Sequence, residues 1–519
     1  MRRQIDYYKQ RAAMLNNFLV PRVNNFIARN ADYILQIAAV VLLFILLVKA
    51  LFDVDNHFDS WWYHLPWAAR LVDLVPEDAY YFEPIAAARY QGFPLLPELL
   101  QGIFWRISGR VESANLVSFG SLVIFIIFLR YFFYVKWWIA VPALLAVPII
   151  QAQATSTYVD LIANLAMTAL VLLTYKVYVN RESINTILIS SLLISALIAA
   201  NSKLQLIPLV ALTLALATYP AGKFVIRKIK KDGRGISIMR VAALLLVMSA
   251  IFLVPLKNIL EHGNPVFPLR VVILGHVLNS EESPPTQNLG GGALGEKHQT
   301  VKWLYSVFEV GMGPLLNVKR WSLDSTAPEG APLGIQGGLF GVYVVFNFLL
   351  FVWLVYKVER RERDIAVVFL LSAAIIAAVM PASHLLRYYM FWFVFLISLN
   401  LHFVSRKNHA LVSWPVGAIC FLFVLFVVDA SDQNFVRPKF QSTHDLLAER
   451  VDSRILADLN STTSACLALD SANQPFLYAN IWHPGTQYSI KAGPFYGNQI
   501  QEVVDVCKGL KIIASPRNQ

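Results

Sequence analysis

Long apolar runs recur along the whole chain, and they constrain its fold more than any other feature. A helix of about 20 apolar residues crosses the hydrocarbon core of a bilayer. The pattern predicts about eleven spans, near residues 33–52, 113–132, 137–151, 160–178, 184–200, 204–219, 240–256, 336–356, 365–381, 385–404 and 411–430. Because 57% of the residues are hydrophobic and 15% are charged, we predict an all-α polytopic membrane protein.

The basic residues predict the orientation of the chain. They concentrate in alternate short loops between the spans, as the positive-inside rule expects of cytoplasmic loops, so their excess does not indicate nucleic-acid binding. Residues 1–32 are predicted to be a cytoplasmic amphipathic arm, and they show no cleavable signal peptide. The transmembrane domain is then residues 33–430. An odd number of spans places residues 431–519 outside.

Two long loops and the C-terminal segment lie on the predicted outer side. The first loop, residues 53–112, contains semi-apolar, proline-punctuated pieces that predict short helices in the membrane interface. The second loop is residues 257–335, and loops of this length are more often functional than connective. Residues 431–519 alternate short apolar runs with turns and predict a small extracytoplasmic α/β domain. Cys466 and Cys507 in this domain form either a disulfide or two buried thiols.

The segment that leaves the first span is unusually polar. The apolar run is followed closely by Asp53, Asp55, Asp59 and His64. Charge at a membrane boundary is costly unless it is hydrated, paired with an opposite charge or part of a functional site. Asp59 is either the N-cap of the next helix or a general base. If the segment is helical, Asp55 and Asp59 share a face, and their like charges raise one pKa.

The tripeptide Asp53-Val54-Asp55 also matches the loose D-x-D pattern that binds metal and nucleotide-sugar in soluble transferases. Those enzymes hold the pattern in a cytosolic nucleotide-binding fold, whereas here it follows a span on the predicted outer side. Nucleotide-sugars are not expected there. We therefore predict no metal site, and both aspartates stay candidates for a catalytic base.

Asp160 and Lys203 are charged residues beside predicted spans on the same outer side. Asp160 ends a polar patch between two spans and either caps the following helix or adds a second carboxylate to a cavity. Lys203 departs from the charge bias of the loops. It either snorkels to the membrane surface or contacts a phosphate.

Two further segments carry candidate ligand-binding residues. Arg387, which follows His384, either anchors at the lipid headgroups or neutralises a lipid phosphate together with Lys203. His262 and Arg270 flank the turn signal Asn264-Pro265 at the start of the second long loop. Their side chains are predicted to reach the same cavity.

These motifs, in this order, resemble the GT-C superfamily of integral-membrane glycosyltransferases. The resemblance rests on Asp-Ser-Trp-Trp-Tyr-His-Leu-Pro at residues 59–66 and Gly-Phe-Pro-Leu-Leu-Pro-Glu-Leu-Leu at residues 92–100. Residues 157–160, 263–268 and 387–389 match further landmarks of the bacterial branch related to protein mannosyltransferases and the lipid A aminoarabinose transferase. The similarity extends over about residues 33–405. Many relatives have Asp-Glu where this chain has Asp-Ser, so Asp59, Asp55 and Asp53 all remain candidates for the base.

The resemblance implies a GT-C fold in the bacterial inner membrane. It implies inverting transfer of a sugar from a polyprenyl-phosphate donor to a hydroxyl of an extracytoplasmic glycolipid, polysaccharide or protein. A first-loop aspartate would be the general base, and Lys203 and Arg387 would hold the lipid phosphate. The other expected substrate contacts are His64, Asp160, His262, Arg270, His384 and Tyr388. Two alternatives stay open: a lipid-linked glycan transporter, polymerase or ligase, and a noncatalytic membrane scaffold.

Overall fold

The computed structural model is mostly helical. It describes residues 20–180, 184–231, 234–273, 275–281, 297–308, 340–406, 410–430, 437–469, 474–493 and 500–514. Most of the predicted N-terminal arm and most of the second outer loop therefore lie outside the described residues.

The described helices are numbered in chain order. In chain order they are α1 (Val20–Phe52), α2 (Leu65–Leu71), α3 (Pro84–Gly92), α4 (Leu96–Ser108), α5 (Leu116–Phe133), α6 (Trp137–Leu145), α7 (Pro148–Gln153), α8 (Asp160–Val179), α9 (Thr186–Ser202), α10 (Ile207–Lys231), α11 (Arg234–Ile251), α12 (Leu253–His262), α13 (Gln299–Phe308), α14 (Phe340–Val355), α15 (Arg360–Val379), α16 (Phe391–Val404), α17 (Ala410–Ala430), α18 (Thr443–Arg450), α19 (Ser453–Asn460) and α20 (Ile500–Val506).

Each predicted apolar run contains α-helix where the structure describes it, although residues 204–206 form a 3₁₀ turn and residues 385–390 precede α16. Among the described residues, four helical stretches are long and apolar enough to cross a bilayer: Arg29–Phe52, Val111–Phe133, Asp160–Val179 and Val412–Asp429. The pair α11–α12, which bends by 68°, adds a fifth if it is counted as one span. The total of eleven spans and the orientation of the termini stay predictions.

The third predicted span, residues 137–151, is two short helices. Pro142 lies inside α6, and α7 begins at Pro148. Proline lacks the backbone N–H that a helix interior requires, and its ring clashes with the preceding turn. The break between α6 and α7 therefore follows from Pro148, which forces Val147 into an extended conformation, whereas α6 continues past Pro142.

Helix α8 lies at the centre of the membrane part and packs against α5, α9, α10, α15 and α16. Its polar side chains are satisfied locally: Asn164 donates to the Asp160 carbonyl, and Thr168 and Thr174 donate to carbonyls one turn earlier. Buried polar groups are tolerated when they are hydrogen-bonded in this way. One end of α8, at Asp160, can thus carry charge while its body stays in the core.

Helix α4 in the first outer loop has two different faces. One face packs on α2, where Gly102 permits a close approach, since a Cβ there would lie 2.4 Å from the Ala68 carbonyl oxygen. The opposite face exposes Leu99, Ile103, Phe104 and Ile107. Such an apolar face is what a helix lying in the membrane interface presents to lipid. The interfacial position itself stays a prediction.

The C-terminal segment shares its sheet with the first outer loop. The strands are β1 (Tyr80–Tyr81), β2 (Val272–Ile273), β3 (His276–Val277), β4 (Ser464–Ala468), β5 (Ser489–Ala492) and β6 (Lys511–Ala514). One sheet has the order β1-β5-β4-β6 with all neighbours parallel, and its edge strand β1 comes from the first outer loop. Strands β2 and β3 form a separate antiparallel pair in the second loop.

A common apolar core joins the two segments. Trp61 and Trp105 of the first loop pack with Phe476 and Leu467 of the C-terminal segment. Cys466 and Cys507 form a disulfide, with their Cα atoms 5.5 Å apart. The sequence left open whether these cysteines form a disulfide or stay two thiols, and in the structure they form the disulfide. The boundary predicted at residue 431 stays a prediction, and residues 431–436 lie outside the described residues.

Candidate active site

A cavity of about 410 Å³ opens where one end of α8, the α9–α10 junction and the segment before α16 meet the two outer loops. Its charged, aromatic and imidazole lining residues are Tyr63, His64, Trp67, Arg89, Phe93, Glu98, Asp160, Lys203, Arg270, Arg387, Tyr388 and Tyr389. Six of the predicted site residues are among them. A cavity with several convergent charged groups is the expected form of a polar ligand site.

Asp59 lies beside this cavity and is paired with one of its cations. Arg387 Nη1 is 3.1 Å from Asp59 Oδ2, and both side chains are about one-tenth exposed. Tyr63 donates its hydroxyl hydrogen to the same oxygen at 3.2 Å. Asp59 itself makes no side-chain cap for the following helical turn, so the N-cap reading of this residue is wrong.

Lys203 and Asp160 form a second buried ion pair. The Lys203 ammonium also lies 4.0 Å from the centre of the Tyr388 ring, an attractive arrangement for a cation. Burial lowers the pKa of Lys203 well below its usual value, and the nearby Arg387 lowers it further. An anionic ligand at this point would favour the charged ammonium.

The backbone around Arg387 is held by α8. Asn164 Nδ2 donates to the Arg387 carbonyl at 2.9 Å, and Asn164 Oδ1 accepts from Phe391 N at 3.0 Å. Thr168, one turn further along α8, donates to the Phe391 carbonyl. These contacts fix the short 3₁₀ turn Leu386–Tyr388 against α8, so the cations from two distant parts of the chain face one cavity.

His64 pairs with a residue that the sequence prediction missed. His64 Nδ1 lies 2.8 Å from Glu98 Oε1, and both side chains are buried. Gln101, one turn after Glu98 on the same face of α4, donates to the Thr157 carbonyl. The available signal was the helical spacing of Glu98 and Gln101 in an otherwise apolar, proline-started helix. Such spacing places both polar groups on the buried side.

Asp55 lies outside the lining of this cavity, and its carboxylate accepts several hydrogen bonds. It accepts from Ser60 Oγ at 2.7 Å, from both the backbone N–H and the hydroxyl of Thr157, and from the backbone N–H of His57, whose Nδ1 is 2.5 Å away. Burial by itself would raise the pKa of Asp55, but the His57 ring and these donors lower it well below its usual range. Residues 53–57 are not helical, so Asp55 and Asp59 do not share a helix face as the sequence suggested.

Asp53 connects the first span to the C-terminal segment. Its carboxylate accepts from the backbone N–H groups of Lys439 and Phe440, and Lys49 lies 3.3 Å away. Asp53 and Asp55 line a small cavity that is distinct from the one described above. Both carboxylates therefore have structural partners in the described part of the chain.

The remaining predicted residues divide between the cavity and its surroundings. Arg270 and Tyr388 line the cavity, whereas His262 stacks on Phe267 with ring centroids 3.7 Å apart. His384 lies outside the cavity lining, with its Nδ1 3.1 Å from the Gln299 amide. Burial, helped by Lys302, lowers the pKa of His384 to about 4.

Metal ligands are not grouped in the described ranges. No cluster of three or more histidine, cysteine or acidic side chains there is arranged to hold an ion.

No family model matches the chain, and no curated protein matches it. Its structure is similar to the crystal structure of ArnT from Cupriavidus metallidurans bound to undecaprenyl phosphate, with a TM-score of 0.50, 12% sequence identity and coverage of 93% of this chain and 89% of that one. The chain has the ArnT fold. The apo structure of the same ArnT aligns with a TM-score of 0.47, at 11% identity, over 91% and 88% of the two chains. Because ArnT is a GT-C glycosyltransferase, the resemblance predicted from the motifs is confirmed at the level of the fold.

Proposed function

We propose that this chain is a membrane glycosyltransferase that moves a sugar from a polyprenyl-phosphate donor to a hydroxyl group of an extracytoplasmic acceptor. The observation that carries the proposal is the arrangement of Asp59, Arg387 and Lys203: a carboxylate beside a cavity that two buried cations line. Support also comes from the ArnT fold, since ArnT was crystallised with undecaprenyl phosphate. The bacterial inner membrane is the location that this function requires.

The chemistry assigns one task to each charged group. Asp59 takes the proton of the acceptor hydroxyl, and the acceptor oxygen attacks the anomeric carbon from the face opposite the phosphate. The bond between that carbon and the phosphate oxygen breaks, and the electron pair leaves with the lipid phosphate. Arg387 and Lys203 stabilise the charge that develops there. The sugar is transferred with inversion.

The two ion pairs suggest how donor binding prepares the base. Arg387 is paired with Asp59, and Lys203 with Asp160. A phosphate competes with both carboxylates for these cations. When Arg387 turns toward the phosphate, the Asp59 oxygen that it contacts becomes available to the acceptor hydroxyl. Proton abstraction is thereby favoured in the presence of donor.

Asp59 is a better candidate for the base than Asp55 or Asp53 because of its surroundings. The carboxylates of Asp55 and Asp53 accept hydrogen bonds from backbone and side-chain donors, and both residues line a different cavity. Asp59 instead contacts two residues of the substrate cavity, Tyr63 and Arg387.

The test is donor consumption by purified protein in nanodiscs, with a panel of polyprenyl-phosphate sugars and a cell-envelope extract as acceptor. Asp59→Asn is expected to lower kcat by about 100-fold or more, the usual loss when a general base is removed. Arg387→Gln is expected to raise KM for the donor and to lower kcat. Asp445→Asn, in the exposed start of α18, is the matched control and should match wild type.

Two results would contradict the proposal. If wild type consumes no donor of the panel with any extract, the transferase function is wrong. If Asp59→Asn turns over donor as fast as Asp445→Asn does, the function can stand but the assignment of the base is wrong.

A further inference from the structure

The buried pair of His64 and Glu98 lies in the polar cavity, but the proposed mechanism gives it no task. His64 Nδ1 is 2.8 Å from Glu98 Oε1, and each side chain is only 2% exposed. Both residues line the cavity that Lys203 and Arg387 also line. Burying an imidazole and a carboxylate costs free energy unless hydrogen bonds compensate for it, so the partner of each polar atom matters.

Two atoms of the pair have no partner. Nε2 of His64 and Oε2 of Glu98 are buried, and neither has a hydrogen-bond partner among the residues that the structure describes. A buried polar atom that makes no hydrogen bond destabilises the folded chain. Where such an atom belongs to the lining of a ligand cavity, the ligand is the expected source of the missing group.

The imidazole ring of His64 is held in one orientation by its neighbours. Tyr63 and Tyr158 lie against it, with ring centroids 4.2 and 5.7 Å away. Gln101, one turn after Glu98 on α4, donates at 2.7 Å to the carbonyl group that precedes Tyr158 in the chain. Helix α4 is thereby anchored beside the ring, and the ring meets the Glu98 carboxylate through Nδ1.

The carboxylate also decides which ring nitrogen carries the hydrogen. An ionised carboxylate only accepts hydrogen bonds, so Nδ1 of His64 donates to Glu98. In the neutral ring, Nε2 then has a lone pair and no hydrogen. Nε2 can accept a hydrogen bond from an O–H group, and it cannot donate one.

We propose that Nε2 of His64 accepts a hydrogen bond from a hydroxyl group of the donor sugar, and that Glu98 is the positioning residue that holds the ring in the accepting tautomer. This inference rests on the proposed function. The sugar is joined to the phosphate that Lys203 and Arg387 bind, so it lies in the cavity that His64 lines. The cavity therefore selects a sugar with a free hydroxyl group, because an analogue without it leaves Nε2 buried and unpaired.

The test measures the binding of lipids to the protein in nanodiscs and needs no sugar transfer. The probes are polyprenyl phosphate without sugar, the polyprenyl-phosphate sugar of the panel that binds most tightly, and the monodeoxy and monofluoro analogues of that sugar. A fluorine substituent cannot donate a hydrogen bond. In wild type, the deoxy and fluoro analogues at one position of the sugar are expected to bind about tenfold more weakly than the parent.

His64→Asn and His64→Gln separate the two ring nitrogens. The asparagine amide keeps a donor near the position of Nδ1 and has no atom at Nε2, whereas the glutamine amide reaches the position of Nε2. His64→Asn should bind the parent and the deoxy analogue with equal, weakened affinity, and His64→Gln should keep part of the preference. Both should bind polyprenyl phosphate without sugar as wild type does, which a general folding defect would not allow. His444→Asn, the same substitution at an exposed histidine of α18, is the control and should match wild type.

Glu98→Gln tests the positioning role. The glutamine amide can donate to Nδ1 of His64 as well as accept from it, so the ring can also take the tautomer with a hydrogen on Nε2. That hydrogen can be donated to fluorine. The fluoro analogue should therefore gain affinity relative to the deoxy analogue in this variant and not in wild type. If Glu98 had only a structural role, the substitution would weaken both analogues alike and leave their ratio unchanged.

Two results would overturn the inference: wild type binds every deoxy analogue as tightly as the parent sugar, or His64→Asn keeps the preference of wild type. In both cases, binding of polyprenyl phosphate without sugar would still support the phosphate site of the proposed function. Failure of wild type to bind polyprenyl phosphate would contradict the proposed function itself, and the inference with it.

Discussion

The aspartates of the first outer loop differ in what their carboxylates contact. Asp55 is enclosed by donors from His57, Ser60 and Thr157, and it therefore ties the loop to the segment before α8. Asp59 contacts Arg387, whose guanidinium also lies 5.1 Å from the Tyr158 ring centre. Carboxylates of the same type, a few residues apart, can thus have a structural role in one case and the proposed catalytic role in the other.

Asp55→Asn is expected to lower the free energy of unfolding of the protein, with a smaller effect on kcat. The substitution leaves one acceptor oxygen for the donors from Ser60, Thr157 and His57, and each buried donor left without an acceptor costs about 1–3 kcal/mol. The folded-state pKa of Asp55 is lowered, so its contribution is present above the unfolded-state pKa of about 3.9 and is lost as the pH falls from there through the folded-state pKa. Thermal unfolding in detergent should show a lower Tm for Asp55→Asn at pH 7. The difference from wild type should shrink as the pH falls toward 3, and a difference that grows on acidification would contradict this account.

The elements of the two outer loops meet at a glycine. A Cβ on Gly92, at the end of α3, would lie 2.2 Å from the Phe267 carbonyl oxygen. Asn258 of α12 donates to the Gly92 carbonyl at 2.8 Å. The Gly-Phe-Pro and Asn-Pro-Val-Phe-Pro motifs, which are far apart in sequence, are therefore packed backbone to backbone next to the cavity.

Gly92→Ala is expected to separate these elements. The obstructing atoms belong to the backbone and cannot rotate away, so overpacking of about 1–3 kcal/mol follows. Because Phe93 and Val266 line the cavity, donor KM should also rise. Gly120→Ala is the control: it lies in α5 with nothing within 4 Å of the added Cβ, and alanine favours a helix. Equal Tm and KM for the two variants would show that the contact does not matter.

At the scale of the whole molecule, the C-terminal segment packs on the first outer loop. It adds strands β4, β5 and β6 to the strand β1 of the first loop, and its core includes Trp61 and Trp105. The Arg450 side chain donates to the Asn56 carbonyl, next to the acidic segment. The segment is therefore positioned to hold the first loop, and with it Asp59, in place.

Loss of the disulfide is expected to loosen this arrangement. Cys466→Ser should lower the free energy of unfolding by about 2–4 kcal/mol, because the bond closes a loop with a sequence separation of 41. Cys420 is free and buried in the membrane part, so Cys420→Ser is the control. Alkylation of intact cells before and after reduction reports the bond, which forms in an oxidising compartment. Thiols at Cys466 and Cys507 that react without reduction would contradict the predicted outer location.

The apolar helices and the acidic first loop could be predicted from local pattern. Apolar length predicted helix at each run, and the proline at 148 marked the break in the third span. Glu98 could not be ranked above other loop carboxylates, because its importance depends on His64 and on the buried side of α4. His262 and His384 were predicted in the cavity on sequence proximity, but stacking on Phe267 and contact with Gln299 place them beside it.

The sequence by itself determined which segments are helical and apolar, because helix formation and burial in a bilayer depend on local composition. It also determined the set of charged residues from which a site could be built. Only the tertiary structure decided which of these charges meet. Asp59 pairs with Arg387 across 328 positions of the chain, and Asp55 with Thr157 across 102, through contacts that no local pattern encodes. Hydrogen-bond saturation, and with it the difference between a structural and a reactive carboxylate, is a property of the packed molecule.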